Sequence, residues 1–239
     1  MLVCAGAVIV LAAGTATSDS PLPEARSPVK PGGSPSRPSS PTSPLATRPR
    51  RAARRAAPVR WRRSVAVGVP GAGRLVGGVK LPARGPGFAT WDPITRRSPS
   101  RGWRRFGTDR LVRTLLRVTR RYAVAHPDAR PLAIGDLSRP RGGSFGPQFG
   151  FIGHQTHQNG LDADVYYPRT DRRLTPPKSA ALIDRRLAQD LVDRFLAAGA
   201  EAVLIGPATR LKGPRGRVKV VPNHDNHLHV RMPNPRRGP

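Results

Sequence analysis

The sequence predicts an α+β fold, in which a small and largely antiparallel sheet has helices packed on it. Two segments place apolar residues at helical spacing, and several shorter segments alternate apolar and polar residues. The order of these segments along the chain indicates one domain of this class. A chain of 239 residues is long enough for such a domain together with additional segments.

The first 17 residues are typical of a signal peptide. The stretch MLVCAGAVIVLAAGTATSDS contains an apolar run that ends in small residues and is too short to span a membrane comfortably. The basic start that signal peptides usually have is missing, and the alternatives are an uncleaved anchor or a disordered apolar end. We expect cleavage near Ala16, export to the periplasm or the cell exterior, and no transmembrane segment in the mature protein.

Residues 18–63 are rich in proline, serine and arginine, and we expect a disordered linker because they hold too little apolar surface to bury. Their cationic part, RPRRAARRAAPVRWRR, contributes to a net charge of +28. Such a surface attracts polyanions, so the linker could contact anionic cell-wall polymers; a solvated linker without a partner is the alternative. The sequence contains no recognised nucleic-acid module, and we expect no specific nucleic acid partner.

The folded domain is expected from residue 64 to residue 239. Its first part includes GAGRLVGGVKLP, where alternation between glycines predicts a hairpin or paired extended segments. Residues 108–127 predict a helix that Thr108 caps and Pro127 ends. The stretches PLAIGDLS and LDADVYY predict two strands.

The second predicted helix covers SAALIDRRLAQDLVDRFLAAGA, with Ser179 as its cap and Gly199 at its end. Its apolar stripe includes Ile183, Leu187 and Leu191. Three further strands are predicted after this helix, in EAVLIGP, GRVKVV and HLHVRM.

Five of the 6 histidines lie in two short stretches, GHQTHQNGLDADVYY from residue 153 and NHDNHLHV from residue 223. In a strand, His227 and His229 share a face because alternate side chains point the same way. A tight turn at residues 159–160, where glycine accepts a positive φ, can return the chain so that His157 and Asp164 converge. The sequence therefore predicts that the two stretches form one site.

Two imidazoles and a carboxylate from separate segments fit a zinc site that keeps a fourth position for water. One histidine of the pair at 227 and 229 would ligate the metal while the other moves a proton beside it. Such a set predicts peptide-bond hydrolysis without a covalent intermediate. The single cysteine, Cys4, precedes the expected cleavage point, and no G-x-S-x-G motif surrounds Ser138, so neither thiol nor serine nucleophile is indicated.

The stretches GHQTHQNGLDAD and NHDNHLHVR resemble the penicillin-insensitive murein endopeptidases. Those proteins belong with the lysostaphin, D-Ala-D-Ala carboxypeptidase and Sonic hedgehog group of zinc proteins, whose pattern is a histidine, six residues, an aspartate and later His-x-His. GGVKLP and GDLSRPRGG add to the resemblance, which covers most of the chain after the linker. Well-studied family members carry several cysteines that this mature chain lacks, which affects the choice of bond more than the metal site.

The resemblance implies a Zn²⁺ site with three ligands: His157, Asp164 and His229. It implies His227 as general base, His224 as a second catalytic histidine that contacts the substrate or assists proton transfer, and His154 as a further histidine at the metal. The implied reaction cleaves the D-alanyl–diaminopimelate cross-link of peptidoglycan, whose stem peptides would be the partner. A D-Ala-D-Ala carboxypeptidase of the same fold and a non-catalytic, zinc-containing wall-binding module remain open.

Three other residues near these motifs are candidates of lower rank. Asp136 follows an apolar strand and would line the cleft, and Arg139 could pair with substrate carboxylates through its planar guanidinium. The alternatives are a strand-end cap for Asp136 and an ordinary surface position for Arg139. Asp162 shares the strand face of Asp164, and we expect it to be structural.

Overall fold

The computed structural model describes residues 58–149 and 155–235. The signal-peptide-like segment, the linker up to residue 57 and His154 lie outside the described residues, so the predictions for them stay predictions. Within those two ranges, no helix combines the length and the hydropathy needed to cross a membrane.

The described residues form a mixture of helices and short strands, which confirms the α+β class. The α-helices are α1 (Asp109–Ala125) and α2 (Arg185–Ala197). The strands are β1 (Val65–Val69), β2 (Ala72–Val76), β3 (Val79–Lys80), β4 (Arg84–Gly85), β5 (Phe88–Thr90), β6 (Phe106–Gly107), β7 (Leu132–Ile134), β8 (Asp162–Tyr166), β9 (Ala202–Ile205), β10 (Val218–Val220) and β11 (His227–Arg231).

A seven-stranded sheet forms the centre of the described part, in the order β10-β9-β11-β8-β7-β5-β4. Its neighbouring strands are antiparallel except for β10 with β9 and β5 with β7, which are parallel. The predicted, largely antiparallel sheet is therefore confirmed. The stretch GAGRLVGGVKLP forms two paired extended segments, β2 and β3, but not a hairpin of its own. Strand β2 pairs antiparallel with the preceding β1, and β3 pairs with β6 in a separate ribbon.

The hydrophobic core lies between the two helices and one face of the sheet. Helices and strands contribute to a single buried cluster, including Leu111, Leu115 and Val118 of α1, Leu187, Leu191 and Phe195 of α2, and Ala163, Val165, Leu228 and Val230 of the sheet. Because alternate strand residues point to opposite faces, the polar residues of β8 and β11 lie on the other face. The fold thus separates the apolar core from a polar sheet face.

Helix α1 begins and ends where the sequence predicts. The hydroxyl of Thr108 accepts a hydrogen bond from the backbone N–H of Leu111 at 3.2 Å, as a helix cap does. The helix ends at Ala125, and Pro127 follows. The apolar stripe, the cap and the following proline therefore predicted this helix.

Helix α2 does not begin at the predicted cap. Ser179 precedes a short 3-10 turn, Ala180–Leu182, and its side chain makes no capping hydrogen bond. Ile183 then adopts an extended conformation, with φ −79° and ψ 127°, and pairs with Arg169 in an isolated β-bridge. The extended residue interrupts the helix, so the prediction of Ser179 as cap of the long helix was wrong.

The cap of α2 is Asp184. Its carboxylate accepts a hydrogen bond from the backbone N–H of Leu187 at 3.0 Å, which satisfies one of the free donors of the first turn. The helix ends as predicted before Gly199, whose φ of +86° is left-handed and favours glycine.

Candidate metal centre

Strands β8 and β11 are neighbours in the sheet, and their register determines which polar side chains meet. Residues directly opposite each other in an antiparallel pair lie on the same face within contact distance. Three such pairs occupy the polar face: His227 with Tyr166, His229 with Asp164, and Arg231 with Asp162. The register therefore places an imidazole directly opposite a carboxylate at the middle of the pair.

The turn before β8 returns His157 to the same face. Gly160 has a φ of +77°, and a Cβ there would lie only 2.8 Å from Leu75, so this position requires glycine. His157 itself is left-handed, with a φ of +66°, and its backbone N–H donates to Oδ2 of Asp162 at 3.1 Å. The turn predicted at residues 159–160 is thus the feature that brings the imidazole of His157 to β8.

Three buried side chains converge at this point. The ligand atoms of His157, Asp164 and His229 all lie within 4.8 Å of one another. Oδ1 of Asp164 is 3.3 Å from Nε2 of His157 and 3.2 Å from Nδ1 of His229. Because two imidazole nitrogens and a carboxylate oxygen are ligands that transition metals and zinc accept, this group could hold a metal ion.

Asp162 lies behind the three converging residues and contacts two of them. Its Oδ1 is 2.7 Å from Nε of Arg231 and 3.2 Å from Nε2 of His229, while Oδ2 accepts from the backbone N–H of His157. The approach to His229 is close but is not aligned as a hydrogen bond. The ring of His229 thus has Nδ1 toward Asp164 and Nε2 toward Asp162, as when an outer carboxylate orients a metal-ligating histidine.

The electrostatics of the centre favour a positive charge. Burial alone would lower the pKa of His229, but the carboxylates of Asp162 and Asp164 raise it to about 9. Burial would raise the pKa of Asp162, yet His229, His157 and Arg231 hold it below its usual range. Both shifts have the same cause, the mutual stabilisation of opposite charges in a buried site, and a bound cation would experience the same attraction.

His227 lies at the edge of the three-residue group. Its Nε2 is 3.6 Å from Oδ1 of Asp164, and its Nδ1 is 2.6 Å from the side-chain oxygen of Asn226. An amide oxygen can only accept, so Nδ1 carries the proton of the neutral ring and Nε2 carries the lone pair. The nitrogen that can accept a proton therefore faces the site.

His224 lies next to His227 on the loop that precedes β11. The two rings are 4.9 Å apart, and the ring of His224 is 6.0 Å from that of His229. Nδ1 of His224 donates to the carbonyl oxygen of Pro222 at 2.8 Å, and the hydroxyl of Tyr167 donates to the carbonyl of His224 at 3.2 Å. These bonds hold the loop so that His224 borders the site.

Comparison with known proteins gives this geometry a family context. A family model described as penicillin-insensitive murein endopeptidase matches residues 66–195, more than half of the chain. The chain belongs to this family. The match includes His157 and Asp164 and ends within α2, so His227 and His229 lie outside the matched residues.

One curated member of the family is the penicillin-insensitive murein endopeptidase of Haemophilus influenzae. It is 26% identical to this chain over 190 residues, which cover 68% of this chain and 61% of the relative. The chain thus matches about three fifths of the relative's length. The family predicted from the two histidine stretches is confirmed by the family model.

In the present chain, the two residues predicted to bind substrate, Asp136 and Arg139, lie outside the group that His157, Asp164 and His229 form. Asp136 is buried two residues after β7, and both of its carboxylate oxygens accept from the guanidinium of Arg104. Arg139 donates from Nε and Nη2 to the carbonyl oxygen of Gly142 at 2.9 and 2.7 Å, and its guanidinium lies 4.2 Å from the ring centre of Phe149. Their roles in substrate binding stay predictions.

Sequence reasoning did not identify two partners of the candidate residues, Asn226 beside His227 and Arg104 beside Asp136. Asn226 precedes His227 directly, yet an exposed asparagine in a loop gives no signal of a hydrogen bond to a neighbouring imidazole. Arg104, in a 3-10 turn far from the histidine motifs, is fully buried against Asp136. The only available signal for Arg104 would have been the need of a buried carboxylate for a cationic partner.

Proposed function

We propose that the protein is a zinc-dependent endopeptidase that hydrolyses peptide cross-links of peptidoglycan, of the D-alanyl–diaminopimelate type. The observation that carries the proposal is the convergence of His157, Asp164 and His229 within 4.8 Å, with His227 beside them. The description of the family and the name of the relative both specify a murein endopeptidase, which supports peptidoglycan as the substrate.

The donor set fits zinc. Catalytic zinc sites have three protein ligands, mostly histidine and carboxylate, and keep a further position for water or substrate. Zinc held by His157, Asp164 and His229 would supply a Lewis acid that polarises the scissile carbonyl and makes water acidic near neutral pH. Asp162, at 3.2 Å from Nε2 of His229, would keep that ligand oriented.

His227 is the general base in this proposal. Its Nε2 faces the site with a lone pair, because Asn226 accepts the proton of Nδ1. Nε2 takes a proton from water as the water oxygen bonds to the carbonyl carbon, and it gives that proton to the amide nitrogen as the C–N bond breaks. The products are a carboxylic acid, which ionises at neutral pH, and an amine, and His227 returns to its starting state.

His224 is the second catalytic histidine in this proposal. Its Nδ1–H donates to Pro222, so Nε2 of the neutral ring is available to a substrate atom or to a proton. The 4.9 Å between its ring and that of His227 allows the two histidines to contact one substrate group. We expect His224 to contribute less than His227, because Nε2 of His227 lies 3.6 Å from Oδ1 of Asp164, one of the three proposed metal ligands.

The location of the substrate is part of the proposal. Peptidoglycan lies outside the cytoplasmic membrane, so the activity requires export, which residues 1–17 would direct. Residues 18–63 would hold the protein near its substrate through contacts with anionic cell-wall polymers. Residues 64–239 would form the zinc metallopeptidase domain.

Digestion of purified peptidoglycan tests this proposal. The zinc-loaded protein is incubated with intact sacculi, and the muropeptides are analysed by mass spectrometry. We expect cross-linked dimers to yield monomers with new termini at the D-alanyl–diaminopimelate bond. Release of terminal D-alanine without loss of dimers would instead indicate a carboxypeptidase, and an absence of new products would reject the hydrolytic activity.

The variant His227→Ala separates turnover from zinc binding. We expect it to retain zinc and to lose cleavage by about 10²- to 10⁴-fold, the usual contribution of a general base. His126→Ala is the matched control, since His126 lies away from the site and pairs with Asp190 at 2.8 Å. Equal inactivity of wild type and His227→Ala, with zinc and peptidoglycan bound by both, would favour a wall-binding module without turnover.

A further inference from the structure

A cleft lies beside His227, and its described lining residues include none of the three converging residues. It has a volume of about 1120 Å³, and Tyr166 and Asn226, which both contact His227, form part of its wall. Three cationic side chains line it as well: Arg96, Arg173 and Lys178. We name this space the basic cleft. A substrate that reaches His227 can therefore occupy the basic cleft at the same time.

Arg96 reaches the basic cleft from a loop of residues 92–101, which one buried carboxylate holds in place. Asp92 accepts from the backbone N–H groups of Ile94 and Thr95 at 3.0 and 3.1 Å and from Nε of Arg101 at 2.6 Å. Arg96 has a left-handed backbone, with a φ of +53°, and makes no ion pair with another described residue. Arg101 thus binds Asp92 within the loop, whereas the side chain of Arg96 lines the basic cleft.

Arg173 reaches the cleft from a second loop, residues 169–178, which is constructed in a similar way. Arg169 binds both carboxylate oxygens of Asp171 and donates to the carbonyl oxygen of Pro176 at 3.0 Å. Arg173 is largely exposed and only 3.8 Å from the same Asp171, while Lys178 has no ion-pair partner among the described residues. In this loop, too, one arginine, Arg169, is bound to a carboxylate, while Arg173 and Lys178 line the basic cleft.

The charges of the basic cleft are not balanced by its own acidic residue. Asp225 is the one carboxylate among the described lining residues, and its Oδ1 accepts from the backbone N–H of Ala208 at 2.8 Å. Three cations around one engaged carboxylate leave a positive surface in a concave space, where the field of the charges is concentrated. Guanidinium groups in such a place bind carboxylates through paired N–H donors.

We propose that the basic cleft binds free carboxylates of the substrate's peptide and thereby selects stems whose carboxyl groups are not amidated. The inference rests on the proposed function, because it assigns the cleft to the substrate that His227 acts on. Stem peptides that contain diaminopimelate carry carboxylates close to the cross-link, and Arg96 and Arg173 are the two guanidinium groups placed to recognise them. Both are specificity-determining residues, separate from the proposed metal ligands.

The test compares two synthetic cross-linked peptides that differ only in having free or amidated carboxyl groups. We expect wild-type zinc-loaded protein to cleave the free form with a kcat/KM higher by about 10- to 100-fold, chiefly through KM, since a charge-assisted hydrogen bond is lost on amidation. In the double variant Arg96→Gln/Arg173→Gln, we expect this preference to disappear. Arg120→Gln, which removes one exposed charge on α1 outside the cleft lining, is the control and keeps the preference.

Two outcomes would overturn the proposal: equal cleavage of the free and amidated peptides by wild type, or an unchanged preference in the double variant. Failure of the proposed function would look different, because neither peptide would be cleaved. In that case, equilibrium binding of the two peptides to the zinc-loaded protein decides. A preference for the free form that the double variant lacks supports the cleft as a carboxylate site, and equal binding overturns it.

Discussion

Asp162, on strand β8, contacts two of the proposed metal ligands. It holds the backbone of His157 and faces Nε2 of His229, and Arg231 compensates its charge at 2.7 Å. Because burial of an unpaired charge is costly, the cationic partner allows the carboxylate to remain buried beside the two histidines. In the proposed metal centre, Asp162 would therefore orient ligands without being one of the three converging residues.

Replacing this carboxylate with an amide tests that role. We expect Asp162→Asn to weaken zinc binding by about 10- to 100-fold, as other outer-shell changes do, because His229 loses its orienting partner. Competition with a chromogenic chelator measures the affinity. Asp193→Asn, on the exposed side of α2, is the control and should bind zinc like wild type. An Asp162→Asn protein with wild-type affinity would show that Asp162 has no part in the site.

Asn226 offers a test of the tautomer of His227. We expect Asn226→Ala to lower kcat by about tenfold with little change in KM, because Nε2 of His227 no longer carries the lone pair in every molecule. Asn226→Asp retains an acceptor oxygen at the same position and should restore most of the rate. Steady-state kinetics on a cross-linked peptide distinguishes these cases, and equal rates for wild type and Asn226→Ala would contradict the assignment.

Part of this site could be predicted from residue patterns alone. Alternation predicts that His227 and His229 share a face, and the glycine at 160 predicts the turn that returns His157. The contacts of Asp162 and Asn226 could not be predicted, because they depend on strand register and on the path of a loop. The register is determined by pairing between β8 and β11, which lie more than sixty residues apart.

At the level of elements, the start of α2 allows a comparison between Asp184, which caps the helix, and Ser179, which makes no capping hydrogen bond. We expect Asp184→Ala to lower the free energy of unfolding by about 1 kcal/mol, because the backbone N–H of Leu187 loses its acceptor. Ser179→Ala should change it by less than about 0.5 kcal/mol, since its side chain makes no capping bond. Urea unfolding measures both, and a larger effect for Ser179→Ala would support the helix start that the sequence predicts.

The loop of residues 92–101 predicts a pH dependence of stability. Burial would raise the pKa of Asp92, but Arg101 and backbone N–H groups hold it below its ordinary value of 3.8. The stabilisation is therefore complete above the unfolded-state pKa and is lost as the pH falls through the lower folded-state pKa. We expect Asp92→Asn to lower the free energy of unfolding by about 1 to 3 kcal/mol at pH 7 and by less below about pH 4.

Asp128→Asn is the matched control for Asp92, because Asp128 is exposed and its removal should leave the unfolding free energy almost unchanged. A difference between wild type and Asp92→Asn that stays the same from pH 7 to pH 3 would contradict the depressed pKa. Chemical denaturation across this pH range supplies the data.

Helices were easier to predict than the order of the strands. The apolar stripe of α1, its cap and the following proline are all local features, and the structure agrees with them. The isolated bridge between Ile183 and Arg169 joins two separate segments of the chain. Because it keeps Ile183 extended, α2 begins later than the sequence predicts. The parallel pairings of β10 with β9 and of β5 with β7 also depend on the complete sheet and have no short-range signal.

At the scale of the whole molecule, the two faces of the seven-stranded sheet differ in what they contact. One face packs on the helices, and the other presents the polar residues of β8 and β11 together with His157. The charge of +28 follows from composition and gives no information on this division. The sequence predicted the domain's class and family because both depend on patterns within short segments, whereas the basic cleft depends on two loops that only the fold brings together.

The zinc content of the purified protein tests most directly whether His157, Asp164 and His229 share one ion. The protein is stripped with a chelator, reloaded with excess zinc, separated from loose metal by gel filtration and analysed by elemental mass spectrometry. We predict about one zinc per chain for wild type and for the exposed control Asp193→Ala, and far less for Asp164→Ala, which lacks a ligand. Wild-type protein without zinc, or Asp164→Ala with as much zinc as wild type, would contradict the proposed metal centre.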